Sequence, residues 1–479
     1  MQRHVFVWAG ASLGLVVGIA ATGCERSESA SAVEHGNVAA EGTKPNIVLI
    51  TLCSFRGAHM GAAGYERETT PFLDSLAADG VFFENAVSAS SWTKPAVASI
   101  LSGLSPNVHA LTDVSRGSDI RSGCIAPKRI LADEIVTLAE CLRDAEYATA
   151  ARINNVHAGD FFNLTQGFDD AVTAHTVDTA AMLSDFARYV RDLDRAQPFF
   201  FFMLTRDTHI PYDPDYEFYL KFNRSPEPVP RERFPGYCRW LRKRVEKRVD
   251  NHQRISPELR RKWIDLYDAE LAQLDHALSR IPAILEDADR LANTLIVVIA
   301  DHGERFFEHG KIGHSNVPDE AVVGIPLIFS GLDVPPGRRV RPVVRSIDLY
   351  PTLVALAGAK PPDVLQGTDL WPLILDDVGR FPKLTAFSSY KNVHHTLRDG
   401  DFKLHLWPDG RRELYDVDRD PGELRNLIDD ETEVAQRLDE ELCRWLDEEE
   451  KLCKRVARGT VRTLPPELIE QLRSLGYIE

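Results

Sequence analysis

Four separated points in the chain carry residues that could do chemistry. Asp301-His302-Gly303-Glu304 sets a carboxylate and an imidazole side by side, and His309 and His314 follow in the segment EHGKIGH. Such clustering suits a divalent metal with an anion-binding rim. Trp92-Thr93-Lys94-Pro95, followed by AVASILSG, places a hydroxyl before a helix of small residues. Thr93 is the expected N-cap, and the free N–H groups of a helix start attract an anion. Cys53-Ser54 and Thr205 to His209 each follow an apolar run. Each point also has a plain structural reading: a helix cap without chemistry, a histidine in a polar loop, and Cys53 as a small buried hydrophobe.

The elements that must bring these points together are legible as patterns. Asn46 to Leu52 (NIVLITL), Pro198 to Leu204 (PFFFFML) and Thr294 to Ala300 (TLIVVIA) are short, rich in β-branched or aromatic residues, and end at polar residues. They predict buried parallel strands. Helical patterns over Thr70 to Asp79, Thr137 to Asp144, Ala181 to Leu193 and Ser256 to Leu278 predict a doubly wound, mainly parallel α/β sheet sandwiched by helices. Open α/β sheets bind ligands beyond the carboxyl ends of their strands, so Cys53, His209 and Asp301-His302 are expected on one edge.

From about Asp376 the texture changes. His394 to Leu397, Phe402 to Leu406 and Glu413 to Val417 predict a small C-terminal antiparallel sheet, and Glu431 to Glu450 an amphipathic helix. At the other end, Arg3 and His4, the apolar run Val5 to Ala21 and the ending Ala21-Thr22-Gly23-Cys24 read as an export signal. The run is shorter than the roughly 20 residues of a membrane span. The ending resembles a bacterial lipobox, which implies lipidation of Cys24 and an exported lipoprotein on the periplasmic side of a membrane or at the cell surface. The resulting division is signal 1–24, flexible tether 25–44, catalytic α/β domain 45–375 and small C-terminal subdomain 376–479.

Lys and Arg number 56 against 72 Asp and Glu, a net charge of −16. That balance argues against general nucleic-acid binding. One segment, Arg231 to Lys262, runs the other way, with 12 Lys or Arg against 4 Asp or Glu. It reads as a solvated helix face or as a guide for an anionic polymer. The cysteines beyond Cys24 are too scattered to define a disulfide framework, and Cys443 and Cys453 would lie roughly 15 Å apart on a continuous helix. Nothing in the sequence bears on oligomeric state.

NIVLITL, TTPFLDSLAADGVFFENAVS, WTKPAVASILSG, THIPY, NTLIVVIADHGERFFEHG, IPLIFSG, RSIDLYPTLVALAGA, LQGTDLWPLI and ELYDVDRDPGELRNL occur in one order from Pro45 to about Asn426. Together they resemble the sulfatase family of the alkaline phosphatase superfamily. The resemblance implies that Asp301 and His302 are metal ligands, that Thr93 sits at the nucleophile position, and that His209 contacts the substrate's anionic group. Lys94, His157 and His314 become substrate-binding candidates, His157 because VHAG is similar to the family's Lys-Trp-His-Leu-Gly.

The departures are specific. The family's first metal segment, usually Asp-Asp or Asp-Thr, is Cys53-Ser54 here, and Arg-Ala-Asp-His is Arg56-Gly57-Ala58-His59. Thr93 with Val97 replaces the Cys/Ser-x-Pro-x-Arg in which formylglycine is made. A set of Cys53, Thr93, Asp301 and His302 favours zinc or manganese, while the resemblance also allows calcium. Three readings follow: a metal-dependent hydrolase of a sulfate or phosphate ester on an exported glycan or lipid, a phospho-group transferase using Thr93, and an impaired, anion- or glycan-binding pseudoenzyme. Retention of Thr93, His157, His209, Asp301 and His302 favours an enzyme.

Overall fold

The computed structural model describes residues 44–112, 128–174, 177–225, 227–314, 317–377, 379 and 381–474. Cys24, the signal and the tether lie outside the described residues. Strand β1 (Asn46–Leu52) is buried at every position. So are β5 (Phe199–Thr205) and β6 (Thr294–Ala300), which flank it in parallel. This explains why all three read as unbroken apolar runs: a strand covered on both faces has no solvent side to make polar. Each fully buried Leu, Ile, Val or Phe in them contributes about 1.5–3 kcal/mol.

The full sheet has nine strands. With β2 (Gly80–Val87), β3 (Ala148–Ile153), β4 (Asp170–Thr173), β7 (Gly324–Gly331), β8 (Arg338–Val340) and β9 (Val344–Arg345), the order is β8-β2-β7-β6-β1-β5-β3-β4, and β9 also pairs with β2. Only β7 runs against its neighbours, antiparallel to both β6 and β2. The expected doubly wound, mainly parallel sheet is therefore present.

Helices α1 (Pro71–Ala78), α2 (Thr93–Ser102), α3 (Leu138–Asp144), α4 (Thr179–Asp192), α5 (Phe234–Asp250) and α6 (Pro257–Leu278) pack around it. Thr137 caps α3 through a capping box with Glu140. Ser256 caps α6 by accepting from Leu259 N–H. The second sheet is antiparallel, with β10 (Ala386–Tyr390), β11 (His394–Asp399), β12 (Phe402–Leu406) and β13 (Arg412–Asp416) in chain order. Its apolar face, Leu397, Leu404 and Leu414, packs on Leu438 and Leu442 of α7 (Thr432–Cys453). Cys443 and Cys453 share that helix and are both unpaired. Among the described residues no helix is long and apolar enough to cross a membrane.

Candidate active site

Strands β1 and β6 are in register, with Leu52 opposite Ala300, so Cys53 and Asp301 leave the sheet side by side. The chain then turns sharply at Ser54, whose φ of 59° is unusual for a residue other than glycine. The turn aims Ser54 N–H at Asp301 Oδ1, 3.2 Å away, and Ser54 Oγ at His314 Nδ1, 3.4 Å away. Asp301 Oδ1 also accepts from His302 N–H at 2.7 Å, whereas Asp301 Oδ2 is buried without a hydrogen-bond donor.

Thr93 is the first residue of α2, and the N-cap is Trp92. This corrects the expectation of a Thr93 cap. The hydroxyl does not turn back to the helix N–H groups; it faces the strand ends. Its Oγ1 lies 3.4 Å from Cys53 Sγ and 3.3 Å from His302 Nε2. His302 Nδ1 donates to the Gly303 carbonyl at 2.9 Å, and burial pushes the ring's pKa down to about 4. The neutral ring therefore keeps its lone pair on Nε2, and Thr93 O–H donates to it.

Asn155, which sequence reasoning missed, completes this cluster. From just beyond β3 its Nδ2 donates to both Cys53 Sγ and Thr93 Oγ1, each at 3.4 Å, while its Oδ1 accepts from His157 N–H. Asn155 lies two residues before His157, within the VHAG neighbourhood. Its type carried no signal, because asparagine at a strand end is ordinarily a turn residue.

The rim is built from histidines. The His314 ring lies 4.2 Å from that of His302 and 4.9 Å from that of His209. Burial lowers His314 to about 3 and, with His314 nearby, holds His209 well below its ordinary value. Glu304, lifted to about 8 by burial, lies with its Oε2 3.4 Å from His314 Nδ1. Burial thus disfavours charge on the rim, and an arriving anion would favour protonation of the histidines.

Lys94 and His157 line a wall shared with Trp92 and Phe162. The Lys94 ammonium is 4.7 Å from the Phe162 ring centre and 5.4 Å from that of Trp92. The His157 ring is 6.1 Å from each. His309 does not join the pocket. It is exposed, and its ring lies near Asp319 and Glu423.

One ligand atom each from Cys53, Asp301 and His302 lies within 4.8 Å of the others, and all three residues are buried. The donorless Asp301 Oδ2 and the Nε2 lone pair, taken over from the Thr93 O–H, are what a cation would use, so the set fits a divalent metal. Burial, then the charge of Asp301, raises the Cys53 thiol well above its ordinary value. Metal binding there has to displace a proton.

Comparison with known proteins agrees with this geometry. The sulfatase family model matches residues 45–359, and that of the N-sulphoglucosamine sulphohydrolase C-terminal region matches 308–450. An arylsulfatase of Clostridium perfringens is 24% identical over 83% of this chain and 92% of its own. Arylsulfatase K of Canis lupus familiaris is 31% identical over a shorter stretch, 37% of this chain and 35% of its own. Among solved structures, one in complex with its substrate D-glucosamine-2-N,6-O-disulfate superposes with a TM-score of 0.70, at 19% identity over 86% of this chain and 98% of its own. The phosphonate monoester hydrolase of Agrobacterium radiobacter gives 0.67, at 20% identity over 85% and 96%. The match over residues 45–359, about two thirds of the chain, shows that the chain belongs to the sulfatase family of the alkaline phosphatase superfamily, the sulfuric ester hydrolases.

Proposed function

We propose that this sulfatase hydrolyses a sulfate or phosphate ester with unmodified Thr93 as the nucleophile. The observation that carries the reading is the Thr93 oxygen standing 3.3 Å from His302 Nε2 and 3.4 Å from Cys53 Sγ, beside the atoms that would hold a cation. A threonine hydroxyl is a weak nucleophile until a base or a metal lowers its hold on the proton. Cys53, Asp301 and His302 would hold a divalent cation, zinc or manganese by the softness of the set, and the cation would neutralise charge developing on the ester. Asn155 Nδ2 orients the Thr93 oxygen, and His209 and His314 receive the anion. In the covalent step the Thr93 oxygen bonds to sulfur or phosphorus, the bond to the ester oxygen breaks, and the alcohol leaves with a proton. Water then releases the group from Thr93.

Thr93 cannot be converted to formylglycine, so the hemiacetal exit is closed and water must attack the sulfated or phosphorylated threonine itself. That favours the phosphoryl cycle over the sulfuryl one, and it keeps the phospho-group transferase as a second reading, with an acceptor hydroxyl in place of water. Rates on matched aryl sulfates and aryl phosphates, with and without chelator and added zinc or manganese, test this. Robust sulfate release that survives Thr93→Ala would sink the assignment of the nucleophile.

The natural ester is proposed to sit on an exported glycan or lipid. The lipobox-like ending at Cys24 supports an anchored lipoprotein on the periplasmic side of a membrane or at the cell surface. Labelling with a fatty-acid analogue, lost in Cys24→Ala, checks the anchor.

A further inference from the structure

Helix α5 turns Phe234, Cys238, Leu241, Val245 and Val249 inward at helical spacing. The opposite stripe, Arg239, Trp240, Lys243, Arg244 and Lys247, is exposed. Arg242, at its edge, pairs with Glu246 at 3.7 Å, but among the described residues none of the four exposed cations has a carboxylate within 4.0 Å. They recur at i, i+4, where like charges repel. In a chain of net charge −16 this is a concentrated patch of uncompensated positive charge. Trp240, 49% exposed, lies in its midst, stacked on Tyr237 and 5.3 Å beneath the Arg244 guanidinium.

The position of the helix matters as much as its charge. On its inner face Cys238 is within hydrogen-bond reach of Asp213, which closes the loop that begins at His209. Phe234, at its start, packs on Tyr216 and Tyr219, just beyond the same loop. The inner face of α5 therefore packs against the segment that follows His209, and the charged stripe is left to solvent.

We propose that the exposed stripe of α5 is a docking strip for a polyanionic polysaccharide. Sulfate or carboxylate groups at the spacing of sugar units complement cations one helical turn apart, and Trp240 offers a ring face to a sugar. A polymer suits the strip better than an anionic membrane. A membrane-seated helix would turn its apolar face outward, whereas α5 turns it inward and stacks Trp240 on Tyr237. The proposal rests on the hydrolase reading only for what the polymer delivers.

The test uses the full mature protein, with dextran sulfate as the polyanion, neutral dextran as control, and vesicles of phosphatidylglycerol with phosphatidylcholine as the membrane. Wild type is expected to bind dextran sulfate in a salt-sensitive way. R239E/K243E/R244E/K247E should bind at least tenfold more weakly, with turnover of a small aryl ester unchanged. The milder R239Q/K243Q/R244Q/K247Q should show the same trend and covers misfolding of the reversed variant. Equal binding by wild type and both variants overturns the strip, as does no binding of dextran sulfate or a preference for vesicles. Polymer binding that is lost in the variants, without aryl ester turnover by any protein, leaves the strip standing and removes the hydrolase reading instead.

Discussion

Among the described residues, two groups of side chains place three potential metal ligands within 4.8 Å of one another: Cys53, Asp301 and His302 in the pocket, and His309, Asp319 and Glu423 beside the second sheet. They differ in what already balances their charge. Glu423 Oε1 has Lys403 Nζ at 3.0 Å and His405 Nε2 at 3.2 Å, and Arg305 stands 3.5 Å from Asp319. Burial pushes Glu423 up, but Lys403 and His405 overcome it and hold the carboxyl down at about 2. In the pocket no Lys or Arg bonds to Asp301 among the described residues, and burial raises its carboxyl despite the neighbouring His302. The second group is a closed ion-pair network that keeps itself neutral. The first has no resident cation, so a counter-charge for its carboxylate would come from outside. Proximity of ligand atoms is common to both, and only the resident cations tell them apart.

The largest effect should come from Thr93→Ala, which removes the reacting oxygen. Turnover is expected to fall by at least about 10³-fold. Stability should fall by only about 1–2 kcal/mol in thermal unfolding, since the change removes the hydroxyl's hydrogen bonds and one buried methyl group. A large loss of stability would mean that Thr93 is a packing residue and the pocket a remnant.

Lys403→Met breaks the second group and should cost about 3–5 kcal/mol in denaturant unfolding, because it leaves Glu423 buried beside Asp319 without its counter-ion. If the variant instead gained a stoichiometric metal at no cost in stability, the distinction between the two groups would fail.

Asp301→Asn is expected to lower affinity for zinc or manganese by about 10–100-fold or more, read by elemental analysis after dialysis. Asp319→Asn should leave metal content unchanged. Stoichiometric calcium unaffected by Cys53→Ser would contradict the soft ligand set.

The smallest effect concerns acid. Glu423 has a folded pKa of about 2 against its ordinary 4.5, so its stabilisation is fully present above about pH 4.5 and is lost as pH falls toward 2. Urea midpoints of wild type and Glu423→Gln should therefore converge as pH falls from about 4.5 to about 2. A constant gap would show that Glu423 is not held as a carboxylate.

The two groups also differ in how far the sequence reveals them. Cys53, Asp301 and His302 follow apolar runs whose ends mark the carboxyl edge, so their convergence could be expected from strand pattern alone. Thr93 stood out by its place before a helix, although the cap it was expected to form belongs to Trp92. Ser54 and Asn155 acquire meaning only through partners far along the chain, Asp301 and His314 for the one, Cys53 and Thr93 for the other. His309 and His314 looked equivalent in EHGKIGH, yet the chain turns at His309, whose φ is 50°, and only His314 reaches the pocket.

By itself the sequence determined the family, the buried parallel strands and the edge on which the pocket lies, because burial on both faces and strand-end chemistry leave local, short-range signatures. Tertiary structure alone decided which histidine faces the pocket, which tautomer His302 holds, that Asn155 bonds both Cys53 and Thr93, and that one carboxylate group is neutralised while the other is not. Those properties depend on the few ångströms separating side chains that are up to about 250 residues apart, a distance set by the register of β1 against β5 and β6 and by the turns that follow them.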